Sequence, residues 1–134
     1  VMMIDDFAGN VVDVYINILQ ANASTRCAGI NAAVMALAHA GIPMKNLVTS
    51  VSIGKIDKHL VVDLIKEEED WEDGEGATDI PITLTGDGKI SHIQLDGKIT
   101  IKQLNEAIEL AKEAGKEIYA AQKKALKEAG EKND

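Results

Sequence analysis

The stretch Val12-Asp13-Val14-Tyr15-Ile16-Asn17-Ile18-Leu19-Gln20-Ala21-Asn22-Ala23-Ser24-Thr25-Arg26-Cys27-Ala28-Gly29-Ile30 changes its period partway along. Over residues 11–20, Val12, Val14, Ile16 and Ile18 alternate with Asp13, Tyr15 and Asn17, the pattern of a half-buried strand. From about residue 23 to residue 40 the apolar positions Cys27, Ile30, Val34, Leu37 and Ala38 fall at helical spacing, and Gly41 with Pro43 supplies a stop. Ala32, Ala33, Ala36, Ala38 and Ala40 keep that helix thin enough to lie close to a sheet.

Further along, Leu47 to Ile53 and Leu60 to Ile65 are β-branched runs separated by Gly54-Lys55-Ile56-Asp57-Lys58-His59, which predicts an antiparallel pair with a longer loop. Ile80 to Thr85 and Ile90 to Leu95 flank Gly86-Asp87-Gly88, a clear hairpin signal. Thr100 opens a last helix, with Gln103 completing a capping box. Leu104, Ile108, Ala111, Gly115, Ile118, Tyr119 and Ala125 give that helix an apolar stripe to about residue 129. The order β-α-β-β-β-β-α predicts one α+β domain over 1–134, a mostly antiparallel sheet with both helices packed on it. Val1-Met2-Met3-Ile4 reads as a cut through an apolar element, so a fragment or engineered piece of something longer is expected.

Charge narrows the function classes. A formal net charge of −8 excludes a protein that grips nucleic acid by bulk electrostatics. The negative charge is concentrated in Glu67-Glu68-Glu69-Asp70-Trp71-Glu72-Asp73-Gly74-Glu75, where seven carboxylates in nine residues predict a solvated, flexible loop. A single cysteine excludes an intrachain disulfide and suits the cytoplasm. No run approaches the ~20 apolar residues of a membrane span, so no membrane partner is expected.

Two places carry candidate chemistry. Arg26 is the only arginine. With Ser24, Thr25 and the unpaired N–H groups of a first helical turn it forms a receptor for a tetrahedral oxyanion. The competing reading makes Asn22 or Ser24 a simple cap and Arg26 a solvated residue. A cation in the first turn opposes the helix dipole by roughly 0.3–1 kcal/mol, a conflict that a bound anion removes. The second candidate, Asp79, stands directly before a predicted strand, where a carboxylate can ligate Mg²⁺ or donate a proton; a structural role is the alternative. His39, His59 and His92 lack metal-ligand spacing, and Gly74-Glu75-Gly76 lacks the strand-loop-helix setting of a dinucleotide site. Cys27 beside Arg26 has a helix end to lower its thiol pKa, but no base at a defined position.

Several of these segments occur together in a known family. Gln20-Ala21-Asn22-Ala23-Ser24-Thr25-Arg26-Cys27-Ala28-Gly29-Ile30, Ala38-His39-Ala40-Gly41-Ile42-Pro43-Met44, Val62-Asp63-Leu64, Glu69-Asp70, Asp79-Ile80-Pro81 and Gln94-Leu95-Asp96-Gly97 closely resemble the RNase PH family of phosphorolytic exoribonucleases, above all its archaeal exosome branch. The likeness extends through the last helix over roughly residues 11–129 and corresponds to the C-terminal half of the family subunit.

The resemblance implies 3′-to-5′ RNA degradation, with inorganic phosphate as the co-substrate that attacks the 3′-terminal phosphodiester and nucleoside diphosphates as products. It makes Ser24, Thr25 and Arg26 the phosphate-binding segment and Arg26 with Asp79 the catalytic pair. Asp79 then protonates the departing 3′ oxygen or holds Mg²⁺. The family's second acidic residue lies six positions earlier, which selects Asp73 as the other metal ligand, while Glu69-Asp70 with a short insertion is the alternative. Implied partners are an RNA 3′ end and other RNase PH-like subunits or a matching half, in an oligomer.

The chain departs from the family at three points. Asn22 replaces an aspartate, the second acidic residue falls either at Asp73 or at Glu69-Asp70, and the family's first half with its basic residues is expected to lie outside this chain, with Phe7-Ala8-Gly9-Asn10 where relatives have Phe-Pro-Arg. The alternative function is a non-catalytic, self-associating half-domain that retains a phosphate site. A third, an acidic module for a basic partner or Ca²⁺, lacks the alternating ligand pattern of a calcium loop.

Overall fold

A computed structural model describes residues 2–131. After a 3₁₀ turn at Ile4–Phe7 come α1 (Thr25–His39), β1 (Val48–Ile56), β2 (His59–Val62), α2 (Lys66–Glu69), β3 (Ala77–Thr85), β4 (Ile90–Ile93) and α3 (Ile101–Glu131). The strands form one antiparallel sheet in the order β2-β1-β3-β4. This is the predicted α+β class. The capping box forms as read: the Thr100 N–H donates to Gln103 Oε1 at 3.1 Å and the Gln103 N–H to Thr100 Oγ1 at 3.2 Å.

Period-2 alternation divides the sheet's side chains into two sets. Val51 and Ile53 of β1 and Ile80, Ile82 and Leu84 of β3 pack against Ala107 and Ala111 of α3 to form the core. Gly115 continues that contact, since a Cβ there would lie 3.0 Å from Thr49 Oγ1. The other set carries Ser50, Ser52, Asp79 and Thr83, and Ser50 Oγ meets Thr83 Oγ1 at 2.9 Å across the strand pair. The start of α1 lies on this polar side, next to Ser52, Asp79 and Pro81.

β1 has an edge that β2 covers only from Ile53 to Ile56. Side chains and a turn finish the rest. Asn31 of α1 takes both backbone groups of Ser50, its Oδ1 accepting from the N–H at 2.9 Å and its Nδ2 donating to the carbonyl at 2.7 Å. Gln122 Nε2 of α3 donates to the Val48 carbonyl at 3.1 Å, and the Asp63 N–H donates to the Ser52 carbonyl at 2.9 Å. Two amide side chains thus take up part of the edge that a further strand would pair with.

The structure departs from the sequence expectations in three places. Residues 11–20 run without strand structure and every one is exposed, although predicted as the first strand. Their alternation survives as a lean toward α1, with Ile16 packed over Gly29. Alternation selects a face, but a strand also needs a neighbour, and none of the described segments pairs with this one. Secondly, the loop expected over 54–59 is a two-residue turn, because Gly54 belongs to β1. A Cβ there would run into the buried Leu64 side chain, so the strand continues only without one.

Thirdly, the acidic run is not a free loop. Glu68 of α2 accepts the Ile65 N–H at 3.0 Å. Lys55, 2% exposed, donates from Nζ to the Asp57 carbonyl at 2.9 Å and to Glu75 Oε2 at 3.0 Å. The Asp57 N–H in turn reaches the Gly76 carbonyl at 3.0 Å, clasping the acidic segment onto the β1–β2 turn. Among the described residues no helix is long and apolar enough to cross a membrane.

Candidate functional site

The loop before α1 is bent by two consecutive left-handed residues, Ala23 (φ 56°) and Ser24 (φ 49°). Neither is glycine, so each costs about 1–3 kcal/mol and persists only where its surroundings impose it. They do. Asn22 Oδ1 accepts the Lys66 N–H at 2.8 Å, and Ser24 Oγ donates to the Leu64 carbonyl at 3.3 Å.

These bonds remove the capping half of the competing reading, while Arg26 itself is exposed, as that reading has it. Ser24 occupies the N-cap position, yet no side chain caps α1 and no acidic residue lies in its first turn. Both candidate caps spend their side chains on the 64–66 segment instead. The positive end of α1 is left without a side-chain cap.

That end opens on a cleft of about 360 Å³ formed by the 21–27 loop together with Ser52, Lys66, Glu69, Asp79 and Pro81. Arg26 and Asp79 share it, as do Ser24 and Thr25. Asp79 is the third residue of β3 rather than the residue before a strand. Its backbone exchanges two 2.9 Å hydrogen bonds with Asp96, and Ser52 Oγ donates to its Oδ1 at 2.6 Å. Gly97 permits this crossing, because at φ 126° a Cβ would meet the Ala77 carbonyl oxygen at 2.8 Å.

The predicted acidic pair is divided. Asp73 sits in the turn closed by the Gly76 N–H, 3.0 Å from its carbonyl, and does not line the cleft, whereas Glu69 does. Asp70 faces Lys66, its Oδ1 2.7 Å from Nζ. Among the described residues no three His, Cys, Asp or Glu side chains gather as a metal site. Mg²⁺ keeps most of its waters and needs only one or two carboxylates, so hard oxygen donors such as Asp79 and Glu69 fit it.

Cys27 behaves against expectation. Burial pushes its thiol up, a hydrogen bond with Ser50 opposes this, and the neighbouring Arg26 contributes less. Being inside the fold outweighs being near a helix end. Iodoacetamide at pH 8 is therefore expected to label Cys27 far more slowly in the native chain than in the urea-unfolded chain, which a time course by mass spectrometry reads directly.

His39, His59 and His92 are exposed on separate elements. Sequence reasoning did not select Ser52 or Lys66 as cleft residues. The signal for Ser52 was a hydroxyl interrupting a β-branched run; Lys66 looked like one more charge at the head of an acidic segment.

As a class, the fold and cleft define an α+β protein with a charged opening at an uncapped helix start. Residues 46–114 match the 3′ exoribonuclease family, domain 2, and residues 1–43 match the 3′ exoribonuclease family, domain 1. The chain belongs to this family.

It is 44% identical to the exosome complex component Rrp41 of Thermoplasma acidophilum over 93% of this chain and 49% of that protein. The same component from Thermococcus kodakarensis is 44% identical over 95% of this chain and 50% of that one. That of Methanosarcina mazei is 43% identical over 95% of this chain and 25% of that protein. The chain thus spans about half the length, or less, of these curated relatives. The fold is also that of rice (Oryza sativa) Rrp46, with a TM-score of 0.72 over 81% of this chain and 51% of that one, at 22% identity.

Proposed function

We propose that the chain carries the phosphate-binding and acidic half of a 3′-to-5′ phosphorolytic exoribonuclease, working within an assembly of RNase PH-like subunits. The uncapped start of α1, opening on the cleft shared by Arg26 and Asp79, is the observation that supports it. Inorganic phosphate, held by Ser24, Thr25, Arg26 and the free N–H groups of the first turn, attacks the phosphorus of the last phosphodiester. The P–O bond to the penultimate nucleotide breaks, its 3′ oxygen takes a proton, and the terminal nucleotide leaves as a diphosphate.

Phosphoryl transfer depends chiefly on positioning and on neutralising charge around in-line oxygens, work suited to a guanidinium and oriented amides. Asp79 is the proton donor or a Mg²⁺ ligand, oriented in either role by Ser52. Mg²⁺ held by Asp79, with Glu69 as the second carboxylate, would neutralise the developing charge. With one arginine and a net charge of −8, the chain leaves the grip on RNA to its partners. Relatives that are exosome components support that assembly.

Phosphate titration followed by amide NMR tests the site. Shifts concentrated in residues 22–28 are expected, with Arg26→Ala weakening binding about tenfold or more. No shift there, or an unchanged affinity in the variant, removes the site from this loop.

The second reading, a self-associating half without turnover, is favoured by the exposed 11–20 segment, where Tyr15 and Leu19 are 85% and 98% exposed. A monomer in sedimentation at high concentration would count against it.

A further inference from the structure

We infer that Lys66 is a second phosphate-binding residue of the cleft, engaged by ligands that present two linked phosphate groups. The inference rests on the phosphorolytic reading. That reaction brings two anions together, the attacking phosphate and the scissile phosphodiester, and releases them joined. One guanidinium and one helix start serve one of them well; the second needs a cation of its own.

Of the residues that line the cleft, Arg26 and Lys66 are the two cations, and Lys66 is built into the phosphate loop. Its backbone N–H is fixed by Asn22 Oδ1, so the loop that holds the helix start open also sets where the lysine stem begins. The ammonium rests on Asp70 Oδ1 at 2.7 Å and on Glu69 Oε2 at 3.2 Å, and Glu69 itself lines the cleft. These hydrogen bonds, Asp70's foremost, push its pKa up. Exposed ion pairs of this kind are weak, and a flexible four-carbon stem lets the ammonium trade carboxylates for a phosphate.

The competing account is that Lys66 only offsets the acidic run. The two are separated by comparing inorganic phosphate with ADP, each titrated by NMR or calorimetry. As a direct ligand of the second group, Lys66→Met weakens ADP about tenfold while phosphate changes less than about twofold, and Lys66→Arg restores most of the ADP affinity. Asp70→Asn, which frees the ammonium, is expected to tighten ADP and leave phosphate unchanged.

As a mere charge offset, Lys66→Met weakens both ligands alike, and that result overturns the inference. An unchanged ADP affinity overturns it too. Failure of the underlying reading looks different: Arg26→Ala would then leave phosphate binding intact whatever Lys66 does.

Discussion

An Asn31→Leu variant is expected to lose about 2–4 kcal/mol of stability, because it orphans the N–H and the carbonyl of Ser50 together. In a chain of this size that is a fall in Tm of roughly 10 °C, read by calorimetry or circular dichroism. Leucine fills the space but offers neither donor nor acceptor, so gains in apolar contact do not repair the edge. Asn31→Asp keeps an acceptor for the N–H and sets a carboxylate oxygen against the Ser50 carbonyl, and it too should be destabilised at neutral pH. Gln122 donates to Asn31 Oδ1 at 3.3 Å as well as to Val48, so the two amides act as one patch and their substitutions should not add. A melting curve for Asn31→Leu within about 1 °C of the parent would show that water satisfies Ser50 as well as the amide does.

The largest functional effect is expected from Asp79→Asn. With oligo(A), phosphate and Mg²⁺ as substrates and ADP release as the readout, the assembled enzyme should slow by about 10²–10⁴-fold. Asparagine is isosteric, keeps the strand and its Asp96 pairing, and removes only the charge and the transferable proton. Phosphate shifts at residues 22–28 should therefore persist in the variant. Ser52→Ala, which deletes the 2.6 Å bond to Oδ1 but leaves the carboxylate, should cost about tenfold. Full activity in Asp79→Asn would mean that neither proton transfer nor metal binding passes through this residue.

Elements whose signals are local were legible in the sequence. The Thr100–Gln103 box, the hairpin around Gly86-Asp87-Gly88 and the helical stripe after Ser24 each fix a few neighbouring residues, and each forms as read. What escaped depends on distant partners. Residues 11–20 carry a strand pattern without a strand to pair with. Gly54 looked like the opening of a loop until Leu64 supplied the reason for its missing Cβ. Lys55 looked solvated, yet its burial orders the acidic segment through Asp57 and Glu75.

The cleft divides in the same way. The Ser24-Thr25-Arg26 run and Asp79 lie far apart in sequence, and only resemblance to a family joined them; no spacing rule could. Counting six residues back from Asp79 led to Asp73, whereas the α2 turn brings Glu69 to the cleft instead. Asn31 had left a trace of its own. It is a polar residue four positions from Cys27 and three from Val34, on the inward side of an otherwise apolar helix.

The tether between the 22–24 loop and the 64–66 segment bears on kinetics. Because Ala23 and Ser24 already hold their unusual dihedrals, the backbone of this loop has nothing to rearrange when inorganic phosphate arrives. Association should run close to the encounter rate, so a weak ligand will exchange fast on the NMR timescale and its resonances will migrate smoothly rather than split. Cutting the tether with Asn22→Ala should slow capture before it hastens escape, the signature of a receptor that must first find its shape.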